Sequence, residues 1–163
     1  MSADPKATSE KLIATNPNAH QNYFISETVE AGLVLTGTEI KSLRNESPNL
    51  RDAYVEVSSR KNGALEAWIV NLHIGPYSHG NIWNHEALRR RKLLLHTHQI
   101  GRIHAALIKE GVTAVPTRIY LKKGRAKIEI GLGKGKKRYD KRQDLKKKSA
   151  DREMQQVMKQ RRK

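Results

Sequence analysis

Hydrophobic positions along the chain fall into short runs separated by polar, Gly-rich or Pro-rich breaks. Tyr23-Phe24-Ile25 is the first strand signal, and Gly32-Leu33-Val34-Leu35-Thr36-Gly37 is a second, bounded by glycines. Glu39-Ile40-Lys41-Ser42-Leu43-Arg44 is expected to turn as a short helix before Asn45-Glu46-Ser47-Pro48-Asn49 breaks it. Ala53-Tyr54-Val55-Glu56-Val57 predicts a strand from its β-branched and aromatic content. The Asn62-Gly63 pair predicts a hairpin whose return strand surrounds Trp68-Ile69-Val70. Residues 73–86 are rich in Gly, Pro, Ser, Asn and His and read as a long loop, a type that usually serves function. Ile100, Ile103, Leu107 and Ile108 make one apolar stripe, so residues 97–110 predict a helix that starts at His96 or Thr97 and ends at Gly111. Residues 112–121 predict a strand, Lys122-Lys123-Gly124-Arg125 a basic turn. Alternation of Ala126, Ile128, Ile130 and Leu132 with polar residues predicts a half-buried strand. The fold class expected is mainly β with small helices, arranged as a small closed barrel.

Composition divides the chain. The formal net charge is +16, with 32 Lys+Arg against 16 Asp+Glu, which implies a polyanionic partner. Residues 134–163 hold fourteen Lys/Arg against four acids, a net +10. That tail has few apolar residues and cannot build a core alone. Residues 1–19 are polar and read as a flexible arm. The expected organisation is therefore an arm over 1–19, a barrel over 20–132 and a basic tail over 133–163, disordered or helical when bound. Apolar residues make up 37%, below the usual ~45–50%, as expected when part of the chain stays outside the core. No apolar run approaches the ~20 residues that span a bilayer, no basic-then-apolar leader pattern opens the chain, and there is no cysteine. A cytoplasmic protein, monomeric and without cofactor, is the expectation.

Catalytic readings find little support. Six of the seven histidines lie between His73 and His104, yet His85-Glu86-Ala87-Leu88-Arg89 lacks the second histidine of the zinc-protease helix motif. His96 and His98 are expected to point in different directions. Gly131-Leu132-Gly133-Lys134-Gly135-Lys136-Lys137 departs from a phosphate-binding loop in its glycine spacing and in having Lys137 where a hydroxyl would hold magnesium. The strip still suits close approach to a sugar-phosphate backbone, or a hinge into the tail.

Binding readings are more informative. Arg89-Arg90-Arg91-Lys92, followed at once by Leu93-Leu94-Leu95, is either a solvated face or a basic cluster presented rigidly on an ordered edge. Glu30 is either a solubilising acid or an acceptor for a base edge or 2′-hydroxyl. Tyr139, the lone aromatic of the tail, is a candidate for stacking on a base. Met154, Val157 and Met158, with Arg161, outline a latent amphipathic helix over residues 150–162, too short to be stable alone.

Several segments then occur in one fixed order: Thr36-Gly37-Thr38-Glu39-Ile40-Lys41-Ser42, Asn49-Leu50-Arg51-Asp52-Ala53-Tyr54-Val55, His73-Ile74-Gly75-Pro76-Tyr77, Gly80-Asn81, Asn84-His85, Arg91-Lys92-Leu93-Leu94-Leu95-His96 and Gly135-Lys136-Lys137-Arg138-Tyr139-Asp140-Lys141-Arg142. Together they resemble the SsrA-binding protein (small protein B) family from about Tyr23 onward. The resemblance implies an OB-like antiparallel barrel with an extended tail, and no enzymatic activity. It implies binding to the tRNA-like domain of transfer-messenger RNA and delivery of that RNA to stalled ribosomes. There the tail would sense the empty mRNA channel and the 16S rRNA decoding centre. It marks Glu30, Leu94 and His96 as RNA contacts, beside Tyr23 and the cluster Arg89, Arg90, Arg91 and Lys92. In the tail it marks Tyr139, Asp140, Lys141 and Arg142 for the decoding centre, within the basic set Lys134, Lys136, Lys137, Arg138, Lys146, Lys147, Lys148 and Arg152. The chain departs from the family at Gln21-Asn22, where a His and an acid usually precede Tyr23, and at Ala87, often Pro. Composition alone leaves a structural ribosomal protein as the alternative.

Overall fold

The computed structural model describes residues 10–109 and 111–160. Among them are seven strands: β1 (Glu10–Thr15), β2 (Tyr23–Leu33), β3 (Tyr54–Ser59), β4 (Leu65–Val70), β5 (Arg91–Leu94), β6 (Val112–Lys122) and β7 (Arg125–Gly135). Four α-helices accompany them: α1 (Pro17–Asn22), α2 (Gly37–Asn45), α3 (Thr97–Ile108) and α4 (Arg138–Gln160). The strands form one antiparallel sheet in the order β1-β6-β7-β2-β5-β4-β3.

The mainly β expectation holds, but the closed barrel does not. β1 and β3 end the strand order and do not pair with each other, so the sheet is open. The reason lies in residues 10–15, which by composition read as part of an arm. β1 adds to β6, from Glu10 opposite Lys122 to Thr15 opposite Arg118. β7 holds the other side of β6. Both edges of β6 are therefore occupied over residues 118–122, and β3 packs near the strand without a hydrogen-bonded ladder. The turn after α2 packs on β1: Ser47 Oγ donates to the Ile13 carbonyl at 3.3 Å. Asn16, buried, fixes the corner. Its Nδ2 donates to the carbonyls of Leu50 (3.0 Å) and Pro116 (2.9 Å), and its Oδ1 accepts from the Asn18 amide. Residues 10–19 are thus strand, corner and helix rather than an arm; residues 1–9 lie outside the described residues.

Other elements follow their local chemistry. The alternating side chains Ala126, Ile128, Ile130 and Leu132 of β7 are all buried, as period-two patterning requires. The two strand signals between Tyr23 and Gly37 merge into one long β2, with a bulge between Ile25 and Glu27. α2 starts where the Glu39 carboxylate reaches back to accept the Thr36 amide at 2.8 Å, half of a capping box. α3 packs over β3, β4 and β6 through buried Ile100 and Ile103, while Ile108 at its end is exposed. As far as Gly135 the glycine-lysine strip is the end of β7 rather than a loop. A Cβ at Gly133 would stand 2.6 Å from the Phe24 carbonyl oxygen, and one at Gly131 2.9 Å from Ile25. Those glycines serve the close approach of β2. No helix among the described residues is long and apolar enough to cross a membrane.

Candidate nucleic-acid interface

The cluster Arg89, Arg90, Arg91 and Lys92 does not form a uniform basic surface. β5 is not an edge but an interior strand, paired with β2 and β4. Alternation along it therefore sends Arg91 inward, where the side chain is completely buried. Its Nε donates to Glu39 Oε1 at 2.8 Å, and its terminal nitrogens donate to the carbonyls of Leu72 (2.5 Å), Arg89 (2.8 Å) and Ala87 (3.1 Å). Arg89 caps the same carboxylate, its Nη2 2.8 Å from Glu39 Oε2. Burial pushes the Glu39 carboxyl up. The bonds from Arg89 and the Thr36 amide, with the charge of Arg91, outweigh this and hold it at about 2. Burial likewise lowers Arg91, against the pull of Glu39. Arg91 is withdrawn from RNA contact by this arrangement, and Arg89 is largely committed to it. Arg90 is exposed, 4.9 Å over the Trp68 ring and 3.4 Å from Glu56; Lys92 is bound to Glu66 at 2.5 Å.

Three other expected residues do converge. Glu30, Leu94 and His96 line one shallow hollow of about 420 Å³, together with Leu95, Gln99 and Lys127. Leu94 is exposed because it closes β5 on the outward side of the strand. His96 precedes α3, its amide donating to Gln99 Oε1 at 3.0 Å. Its ring stacks on His98, the centroids 5.7 Å apart, rather than pointing elsewhere. Glu30 is not a free acid. It accepts the Tyr120 hydroxyl and Lys122 Nζ (3.3 Å), with Lys127 Nζ 3.7 Å away. The Tyr120 bond lowers its carboxyl below the usual range; burial opposes this, and Lys122 and Lys127 add to the lowering, while burial and Glu30 raise the Tyr120 phenol. The hollow thus offers an oriented carboxylate beside a cation, an imidazole and an apolar side chain. Tyr23 stands apart, at the far end of β2, roughly 23 Å from Glu30 by strand rise.

The tail departs from β7 on the same side as Tyr23. Lys134 and Gly135 are still in β7, opposite Phe24 and Tyr23. Lys136 is spent on the junction: its Nζ donates to the His20 carbonyl (2.9 Å) and to Asp144 (2.5 Å) and lies 4.7 Å from the centre of the Phe24 ring. From Arg138 the chain is helical to Gln160, so the helix expected over residues 150–162 begins twelve positions earlier; 161 and 162 lie outside the described residues. Asp140 in the first turn and Lys159 in the last suit the helix dipole. Lys137, Arg138, Arg142, Lys146, Lys147, Lys148 and Arg152 are exposed; Asp140 and Lys141 are half-buried. Tyr139 is 69% exposed, its hydroxyl accepting from Gln143 Nε2 at 2.9 Å.

The comparisons with known proteins fit this arrangement. The family model described as "SmpB protein" matches residues 13–160. The chain belongs to the SmpB family. Its SmpB relatives include the SsrA-binding protein of Lysinibacillus sphaericus, 52% identical over 151 residues, which cover 93% of this chain and 94% of the relative. That of Pelobacter propionicus is 53% identical over 150 residues, covering 92% and 95%. A solved chain described as "tmRNA-SmpB: a journey to the center of the bacterial ribosome" is similar at 39% identity and a TM-score of 0.62, over 77% of this chain and 85% of that one. SmpB membership sets aside the structural ribosomal protein. Around its hollow, sequence reading passed over Lys127, Gln99, Tyr120 and Lys122. Lys127 showed only in the polar alternation of β7 and Lys122 only in a basic turn, while Gln99 on α3 and the buried Tyr120 gave no signal before the register set Lys127 opposite Gly32 and Tyr120.

Proposed function

We propose that this chain binds the tRNA-like domain of transfer-messenger RNA and delivers it to stalled ribosomes, acting as a cytoplasmic RNA-binding factor rather than an enzyme. The observation that carries this is the match to the SmpB family across residues 13–160, with relatives named for SsrA binding at about half identity. The hollow of Glu30, Leu94, His96, Gln99 and Lys127 is its RNA-reading surface. Glu30, oriented by Tyr120 and Lys122, accepts hydrogen bonds from a base edge or 2′-hydroxyl. Lys127 neutralises a phosphate, and Leu94 and His96 give an apolar and a stacking contact. Tyr23 and α4 face a second RNA surface. There Tyr139 stacks on a base of the decoding centre, and the basic residues from Lys137 to Arg152 line the empty mRNA channel.

A salt titration of the full chain with Glu30→Ala beside it tests the reading. Affinity for the transfer-messenger RNA falls with salt, with a slope of roughly −0.7 to −0.9 per phosphate contacted. Glu30→Ala weakens that RNA by about tenfold, the value of one to two lost hydrogen bonds. It leaves an unrelated duplex unchanged or bound more tightly, because Lys127 loses its carboxylate partner and Lys122 one of two, Glu10 remaining. Equal weakening on both RNAs would return Glu30 to a role in solubility.

A further inference from the structure

Residues 73–85 contain no Asp, Glu, Lys or Arg, in a chain where those types make up 29% of positions. This segment is the long loop between β4 and β5, and the RNA-reading hollow does not use it. Its tip carries the two most exposed large apolar side chains among the described residues, Ile82 at 88% and Trp83 at 84% exposure.

The tip is built, not loose. Asn84 closes it: Nδ2 donates to the Tyr77 carbonyl (2.8 Å), and Oδ1 accepts the amides of Tyr77 and His85 (both 3.1 Å). The Gly80 amide donates to the Tyr77 carbonyl at 2.9 Å. A Cβ at Gly80 would stand 2.6 Å from Asn84 Nδ2, so the turn is shaped for glycine. Below it, the His85 ring joins Thr38 Oγ1 (3.0 Å) to the Ile74 carbonyl (3.1 Å), and Ser42 Oγ donates to the Gly75 carbonyl at 2.7 Å. Ile82 and Trp83 are therefore held out on a loop clamped to α2, and ordering them on contact costs little further entropy.

The chemistry of the tip selects its partner. Nucleic-acid interfaces are dense in cations, whereas Arg89 at the base of this loop is bound to Glu39 and Lys41 lies 5.7 Å over the Tyr77 ring. An aliphatic side chain as exposed as Ile82 gains nothing from stacking on bases and much from an apolar pocket. Charge depletion with aromatic enrichment marks the cores of protein interfaces. Tyr77, Ser78, Gly80, Asn81 and Asn84 around a Trp repeat the composition of protein-binding loops. We propose that Ile82 and Trp83 form a hot spot that inserts into an apolar pocket on a ribosomal protein, a protein contact separate from the RNA-reading hollow. This rests on the delivery of the chain to ribosomes proposed above.

The test places the photoreactive residue benzoylphenylalanine at position 83 of the full chain, loads it with transfer-messenger RNA, adds purified stalled ribosomes and irradiates. The main adduct is expected on a ribosomal protein. In parallel, the double substitution Ile82→Ser with Trp83→Ala lowers affinity for ribosomes by at least about tenfold, as hot-spot truncation does, with RNA affinity unchanged. Both residues are exposed, so folding is preserved. An adduct on ribosomal or transfer-messenger RNA, on a second copy of the chain, or on nothing, overturns the proposal, as does unaltered ribosome binding by the double variant. RNA and ribosome titrations of the unsubstituted chain accompany the test. If those fail, the delivery reading itself falls and the inference with it; if they succeed while position 83 finds no protein, only the inference falls.

Discussion

Truncation after Lys137 leaves a folded body that still binds its RNA and abolishes peptide tagging on stalled ribosomes. The cut is set by the structure. Lys134 and Gly135 belong to the β7 ladder, and the Lys136 amide donates to the Asn22 carbonyl at 2.7 Å, so removal of these residues would damage the sheet. Beyond Lys137 lies α4, whose described side chains are almost all exposed. The truncation loses the Lys136–Asp144 pair, whose Asp144 is exposed while the largely buried Lys136 keeps its bond to the His20 carbonyl, a loss of about 1 kcal/mol. It removes eleven Lys/Arg and four acids, a net +7 of the total +16. General affinity for polyanions therefore drops at low salt, and the comparison belongs near physiological ionic strength. The hollow around Glu30 is untouched, so specific RNA binding persists. A narrower substitution, Tyr139→Ala, removes one proposed stack, worth roughly 1–3 kcal/mol, and impairs tagging without changing RNA affinity. Tagging at the normal rate by the truncated chain would make α4 a dispensable solvated helix.

Arg91→Ala unfolds the body far more readily than Arg90→Ala, although the two are neighbours in one basic run. Arg90 is exposed, and its substitution changes stability by less than about 1 kcal/mol. Arg91 is buried and bonded to Glu39 and three carbonyls. Its removal strands those carbonyls and leaves the buried Glu39 with Arg89 as its one arginine partner, which costs about 3–5 kcal/mol and lowers the melting temperature by roughly 10–15 °C. The same cluster sets a pH dependence. The folded Glu39 carboxyl is held at about 2, below its ordinary 4.5. Its contribution to stability is present in full above the unfolded value and is lost as pH falls from there towards 2. Glu39→Gln flattens that part of the acid denaturation curve. Thermal melts of the three variants, repeated between neutral pH and pH 3, check both points. Equal melting temperatures for the two arginine substitutions would contradict the buried ion cluster.

What the sequence made legible was local. The Asn62-Gly63 hairpin, the stripe that buries Ile100 and Ile103, and the alternation that buries Ile128 and Ile130 each depend on residues a few positions apart. What it hid was non-local. β1 holds only the short apolar run Leu12-Ile13-Ala14 between polar ends, and the edge of β6, more than a hundred positions away, makes it a strand; that pairing takes an edge of β6 that a closing strand would need. Arg91 lies in a run whose charge gives no sign of burial, and Glu39 on α2, with the carbonyls of Leu72, Ala87 and Arg89, accounts for it. The resemblance to a family singled out Glu30, Leu94 and His96, which the fold brings together. It could not supply Tyr120, Lys122 and Lys127, which orient Glu30 from neighbouring strands. The high charge of the tail argues against a long helix, whereas Asp140 in its first turn and Lys159 in its last favour one from Arg138 to Gln160.

Reconstituted tagging tests the central claim most directly. Ribosomes stalled on a message that lacks a stop codon are mixed with transfer-messenger RNA charged with its amino acid, with and without the full chain. The expected result is a tagged peptide that appears only when the chain is present, and that is lost on its truncation after Lys137. Tagging at the same level without the chain, or none with it, would contradict its role as the factor that brings this RNA to the stalled ribosome.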